Sequence, residues 1–148
     1  MITDFYEDIE IGQRHRTRGR TVTETDLVNF AGMTADWHPL HTDAEYAAAD
    51  PIFGQRIAHG ALVLSLGLGL VTLRPEAVKA FYGIDRLRFV GPTFIGDTIH
   101  VETEVSSVTP RPDERHAVVR SEFIVRNQHE TEAVVATLAM LVAGRPAR

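Results

Sequence analysis

Hydrophobic positions recur every three or four residues in the first half of the chain and every second residue in the latter half. Thr23-Glu24-Thr25-Asp26 resembles a capping box, and Leu27, Val28, Phe30 and Ala31 behind it predict a short amphipathic helix. Residues 32–42 hold Pro39 and show no period, so they read as a loop. Thr42-Asp43-Ala44-Glu45 is a second capping-box candidate, opening an alanine-rich helix that Pro51 ends. His59-Gly60 leads into a nearly apolar run from Ala61 to Leu73. Crossing a bilayer takes about 20 residues, so this run reads as a helix buried on every face. Gly67 and Gly69 weaken it by about 1 kcal/mol each relative to alanine, which points to close backbone approach to a sheet.

From Tyr82 the period becomes two. Ile84, Leu87 and Phe89 form a first strand, closed by Gly91-Pro92. Ile99, Val101, Thr103 and Val105 alternate with His100, Glu102 and Glu104. After a turn at Arg111-Pro112-Asp113, Ala117, Val119, Ser121, Phe123 and Val125 alternate with Arg120, Glu122 and Arg126. Asn127-Gln128-His129 turns the chain into Val134, Ala136, Leu138, Met140 and Val142, a strand apolar on both faces and hence interior. The organisation is helical first and stranded later. An antiparallel meander wrapping one apolar helix is expected, an α+β fold. Its open edges favour a two-fold dimer.

The length of 148 residues fits one compact domain over residues 1–148. With 44% hydrophobic residues, a core needs no metal or disulfide staple. The absence of cysteine removes disulfides, thiolate-zinc sites and a thiolate nucleophile, and fits the cytoplasm. The acidic residues 1–8 carry no signal-peptide h-region. A net charge of −5 without a basic block argues against nucleic acid and anionic membrane as partners. Lys79 is the only lysine against fourteen arginines, a bias that fits genomic base composition, or else phosphate-holding guanidinium groups.

Candidate chemistry concentrates at Asp36-Trp37-His38-Pro39-Leu40-His41-Thr42-Asp43. An Asp followed five residues later by a His is not specific by itself. The pair flanks a proline in a loop, and a second loop, Arg56-Ile57-Ala58-His59-Gly60, feeds the apolar helix. Gly60 there would present unbonded N–H groups.

These segments resemble the MaoC-like dehydratases, which include the (R)-specific enoyl-CoA hydratases and have a hot-dog fold. The family motif runs Asp, any residue, Asn, Pro, an aliphatic, His; here it stands as Asp36-Trp37-His38-Pro39-Leu40-His41. Thr42-Asp43-Ala44-Glu45-Tyr46-Ala47, then Phe53-Gly54-Gln55-Arg56-Ile57-Ala58-His59-Gly60 and Ser65, continue the likeness. So do Tyr82-Gly83-Ile84-Asp85-Arg86-Leu87-Arg88-Phe89 and Phe94-Ile95-Gly96-Asp97-Thr98. His38 departs from the family's Asn, and Ala35 stands where glycine is frequent. A neutral imidazole donates and accepts, as a carboxamide does, but with different reach and a titratable proton.

The resemblance implies reversible hydration of a trans-2-enoyl-thioester to an (R)-3-hydroxyacyl-thioester in a homodimer or larger homo-oligomer. The substrate would be linked to coenzyme A or to an acyl carrier protein. Asp36 would act as main base, with His41 as its partner and proton donor, and no cofactor or metal is expected. The Gly60 amide would hold the enolate oxygen, and Ser65 would touch substrate. Several residues have plainer readings beside these. Asp36, His38 and His41 also suit zinc or iron. Ser65 suits a bond to its i−4 carbonyl, His59 suits a structural place, and Arg86 and Arg88 suit a solvated face rather than coenzyme A phosphates. Thioester hydrolysis on the same fold, or acyl-thioester binding without catalysis, are the alternative functions.

Overall fold

Four long strands carry the alternation through, and they close an antiparallel sheet over one helix. The computed structural model describes residue 2, residues 4–112 and residues 115–146. Met1 and Thr3 of the acidic start, and Asp113 of the expected turn, lie outside the described residues. In chain order the elements are β1 (Arg14–Arg16), β2 (Arg20–Thr21), α1 (Glu24–Thr34), α2 (Pro39–Thr42), α3 (Ala44–Ala49) and α4 (Gly60–Leu70). Then follow β3 (Val78–Phe89), β4 (Thr98–Pro110), β5 (His116–Arg126) and β6 (Glu132–Ala143).

The strand order is β1-β4-β5-β6-β3, with β2 also on β4. β4, β5 and β6 form the expected meander, and β6 is interior. β3 does not join it: it crosses to the far edge and pairs with β6. β1 and β2 correct the helical-first reading. Arg14-His15-Arg16 and Arg20-Thr21 have no apolar alternation to announce a strand; β1 is fastened to β4 partly by Arg14–Glu104 and Arg16–Glu102 pairs. β3 begins at Val78, four residues before the expected Tyr82. Bulges break its register, one of them between Asp85 and Arg88 around Arg86 at φ 55°, which explains the uneven spacing of Ile84, Leu87 and Phe89.

The core lies between α4 and the sheet face of Val101, Phe123, Val125, Leu138 and Met140. A Cβ on Gly67 would stand 2.9 Å from both Phe123 and Val125, so this glycine does allow the close approach. Gly69 does not: nothing lies within 4 Å of its would-be Cβ. The helix is also not buried on every face. Leu62, Val63, Gly67 and Leu70 are buried, whereas Ala61, Ser65 and Gly69, one turn apart, form an exposed line of small residues. Among the described residues no helix is long and apolar enough to cross a membrane.

The expected loop over residues 32–42 is largely helical. α1 runs through Gly32 to Thr34, and Pro39 is the first residue of α2, where its missing N–H is harmless. The true loop is residues 35–38. The alanine-rich helix α3 is capped by Asp43, whose carboxylate accepts the Tyr46 N–H at 3.0 Å, not by Thr42.

Candidate active site

α1 ends in a left-handed residue, Ala35, at φ 60° and ψ 19°. That reversal is where glycine is the usual residue, and it throws Asp36 off the helix axis toward the start of α4. Asp36 is exposed; its Oδ1 accepts the His38 N–H at 3.3 Å. His38 caps α2: its Nδ1 accepts the Leu40 N–H at 3.2 Å. An Asn carboxamide oxygen performs that capping task in other helices, so the imidazole in its place keeps the turn.

His41, half-buried in α2, stands 2.7 Å by its Nδ1 from the Ile57 carbonyl oxygen. A carbonyl only accepts, so in the neutral ring Nδ1 carries the hydrogen and Nε2 presents its lone pair. Burial pushes the His41 imidazole below its ordinary pKa; the Ile57 bond opposes this, His59 adds to it, Asp36 opposes it and His38 adds to it weakly. His59, 3% exposed at the N-cap of α4, donates from Nε2 to the Asp36 carbonyl oxygen at 3.0 Å. Its ring stacks on that of His41, with centroids 3.8 Å apart and planes 27° from parallel.

A carboxylate oxygen of Asp36 and a ring nitrogen of each of His41 and His59 all lie within 4.8 Å of one another. Two hydrogen bonds of about 2.8 Å reach across that gap, so one water can touch both Asp36 and His41. The same three groups form a possible metal donor set. One nitrogen of each ring already serves a carbonyl, which leaves the other nitrogen to an ion or a water.

Gly60 is the first residue of α4, where an amide has no preceding helical carbonyl to bond. A Cβ there would stand 2.8 Å from the Phe89 ring, so the glycine also admits β3. Gly60, Ile57, Val63, Phe89 and Val134 line an apolar cavity of about 260 Å³ beside it. A larger groove of about 610 Å³ lies elsewhere, among Arg14, Arg16, Glu102, Glu104 and Arg126. Those charges are paired with one another, whereas the smaller cavity shares Ile57 and Gly60 with the Asp36–His41 site and is the one beside the chemistry.

The structure thus brings Asp36 and His41 together. Ser65 lies further along α4, exposed, with its hydroxyl donating to the Ala61 carbonyl at 2.8 Å; among the described residues no hydrogen bond joins it to the pair. His59, for which the sequence suits a structural place, joins the pair in space, and its position just before Gly60 is the signal in the chain. The Ile57 carbonyl carries no signal at all, because every residue has one.

The chain belongs to the MaoC-like domain family, whose model matches residues 8–127. β6 lies beyond the matched residues although it is interior to the sheet. Over 98 residues the chain is 43% identical to Protein MaoC of Klebsiella aerogenes, covering 66% of this chain but only 29% of that protein. It is 33% identical over 110 residues to an (R)-specific enoyl-CoA hydratase of Rhodospirillum rubrum, covering 74% and 75% of the two chains. Among solved structures, a monoamine oxidase regulatory protein from Archaeoglobus superposes at a TM-score of 0.89 with 41% identity, over 99% and 98% of the chains. A Mycobacterium tuberculosis protein with a double hot-dog fold matches at 0.86 with 20% identity, over 99% of this chain and 46% of that one. The fold is the hot-dog fold.

Proposed function

We propose that the protein is a hydro-lyase interconverting a trans-2-enoyl-thioester and an (R)-3-hydroxyacyl-thioester, with coenzyme A as carrier. The observation that carries this reading is Asp36 and His41 within reach of one water, beside His59, the residue that precedes the helix N-terminus at Gly60. As the water oxygen bonds the β-carbon, one water proton passes to the pair, with Asp36 as main base. The pair returns one proton to the α-carbon. Neutral His41 keeps its hydrogen on Nδ1, so its Nε2 donates only a proton it has first received. Between the two transfers the thioester oxygen carries enolate charge, which the Gly60 amide and the positive end of α4 stabilise. Acid–base help of this kind is typically worth about 10²–10⁴-fold. We propose further that Ser65, exposed along α4, meets the substrate. The apolar cavity beside Gly60 suits the acyl chain.

We place residues 1–148 as one catalytic domain that pairs with a second copy in the cytoplasm. Dimerisation is supported by the twelve-residue edge strand β3 with exposed Phe81 and Tyr82, and by the exposed Ala61-Ser65-Gly69 line. The test is incubation with enoyl-CoA thioesters of graded chain length, followed by chiral separation of the product. An (R)-3-hydroxyacyl-CoA is expected; free thiol without hydration would indicate a thioesterase instead.

A further inference from the structure

We propose that His59 is a positioning residue for the acid–base pair: its Nε2–H pins the main chain of Asp36 while its ring supports His41. This inference rests on the hydratase reading of the same site.

Asp36 stands on a four-residue loop between two helices, and among the described residues its side chain is held by the His38 N–H of that same loop. The Asp36 N–H reaches the Thr34 hydroxyl at 3.3 Å, again a neighbour in sequence. The bond from His59 to the Asp36 carbonyl comes from 23 residues away. It is made by a residue that is itself buried, 3% exposed. His59 is the N-cap of α4, the helix seated through Gly67 on Phe123 and Val125. One face of its ring lies on His41 and the Phe30 ring tilts against it at 5.0 Å. The buried helix thereby fixes an exposed loop at one atom and a half-buried imidazole at one face.

The ring's second nitrogen sharpens the assignment. Nδ1 is buried without a hydrogen-bond partner among the described residues. Here a single donor is used, the neutral ring carries its proton on Nε2, and the flat face supplies the rest. Neither a purely apolar ring nor a purely polar amide meets both requirements. Phenylalanine keeps the stack and loses the donor; glutamine places an N–H near the Nε2 position and loses the stack.

The test compares wild type, His59→Phe and His59→Gln by crotonyl-CoA hydration kinetics and by NMR of the Asp36 carbonyl carbon, with thermal melts to check folding. Misplacement of a reacting group by about 1 Å is worth on the order of 10²-fold in rate. His59→Phe should therefore lose about that factor in kcat with KM changed less than about threefold. His59→Gln should recover a substantial part. The Asp36 carbonyl shift should move in the phenylalanine variant and return toward wild type with glutamine. In wild type, the His59 ring nitrogens should show the Nε2–H tautomer. Unchanged kcat in His59→Phe, an unmoved Asp36 carbonyl, or the Nδ1–H tautomer would each overturn the assignment. If wild type hydrates no enoyl-thioester while the carbonyl responds as described, the hydratase reading fails and the His59 anchor stands.

Discussion

The imidazoles of His41 and His59 stack face to face, 3.8 Å between centroids. This places two ionisable rings in one partly dry space and gives His41 its pH behaviour. Burial comes first among the causes that depress the His41 pKa, and His59 adds to it. Proton uptake at Nε2 abolishes the lone pair proposed to hold the reacting water. The log kcat/KM profile should therefore be flat at neutral pH and bend downward on its acid side, at a midpoint below the ordinary imidazole value of about 6.5. A pH series in buffers of constant ionic strength checks this; a midpoint above the ordinary value would contradict it.

Gly60 meets two demands at one position. A methyl group there collides with the Phe89 ring at 2.8 Å and covers the amide proposed for the enolate oxygen. Gly60→Ala should cost about 1–3 kcal/mol by overpacking. Combining it with Phe89→Leu should give back part of that stability. Activity should stay low in the double variant, because the methyl still covers the amide. Urea denaturation beside turnover separates the two demands, and recovery of both together would mean that Gly60 serves packing alone.

The strands were largely legible because alternation states both the element and its buried face: Val101, Phe123 and Val125 lie against α4 as their spacing required. What the sequence left dark has physical reasons. β1 is fastened by charge pairs, and hydrophobic periodicity is blind to those. The distant pairing of β3 with β6 is a long-range contact that no local signal announces. The uniform apolarity of α4 concealed which side the sheet takes; only the small residues Ala61, Ser65 and Gly69 mark the other. At the site, Asp36 and His41 were legible through their motif, whereas the Ile57 carbonyl and the stacked ring of His59 come together only in three dimensions.

Ala35 holds φ 60° with a side chain that disfavours it. Ala35→Gly should stabilise the fold by about 1 kcal/mol, since a left-handed residue with a Cβ costs roughly that much. A raised thermal midpoint with activity retained is expected. A fall in midpoint would mean that the looser unfolded glycine outweighs the relieved strain.

The start of α1 predicts acid sensitivity. Burial alone would raise the Asp26 carboxyl, but the Thr23 amide and hydroxyl and the Arg20 guanidinium overcome it and hold its pKa below the usual value. A depressed folded pKa means stability that is fully present above the unfolded value of about 3.8 and lost as pH falls through the folded one. Thr23→Ala should cost about 1 kcal/mol at neutral pH. That difference should shrink at a pH well below the depressed Asp26 pKa, where the carboxyl is protonated and only the Thr23 hydroxyl's bond from the Asp26 N–H remains of the cap. Denaturant titrations at the two pH values measure it, and an equal cost at both would contradict the capping account.

The most direct measurement is the loss of enoyl-thioester absorbance in crotonyl-CoA solution on adding wild type, Asp36→Asn or His41→Ala. Wild type should bleach the band to equilibrium, and each variant should be slower by about 10²-fold or more while melting near the wild-type temperature. Full activity in either folded variant would contradict the claim that these two side chains share the reacting water.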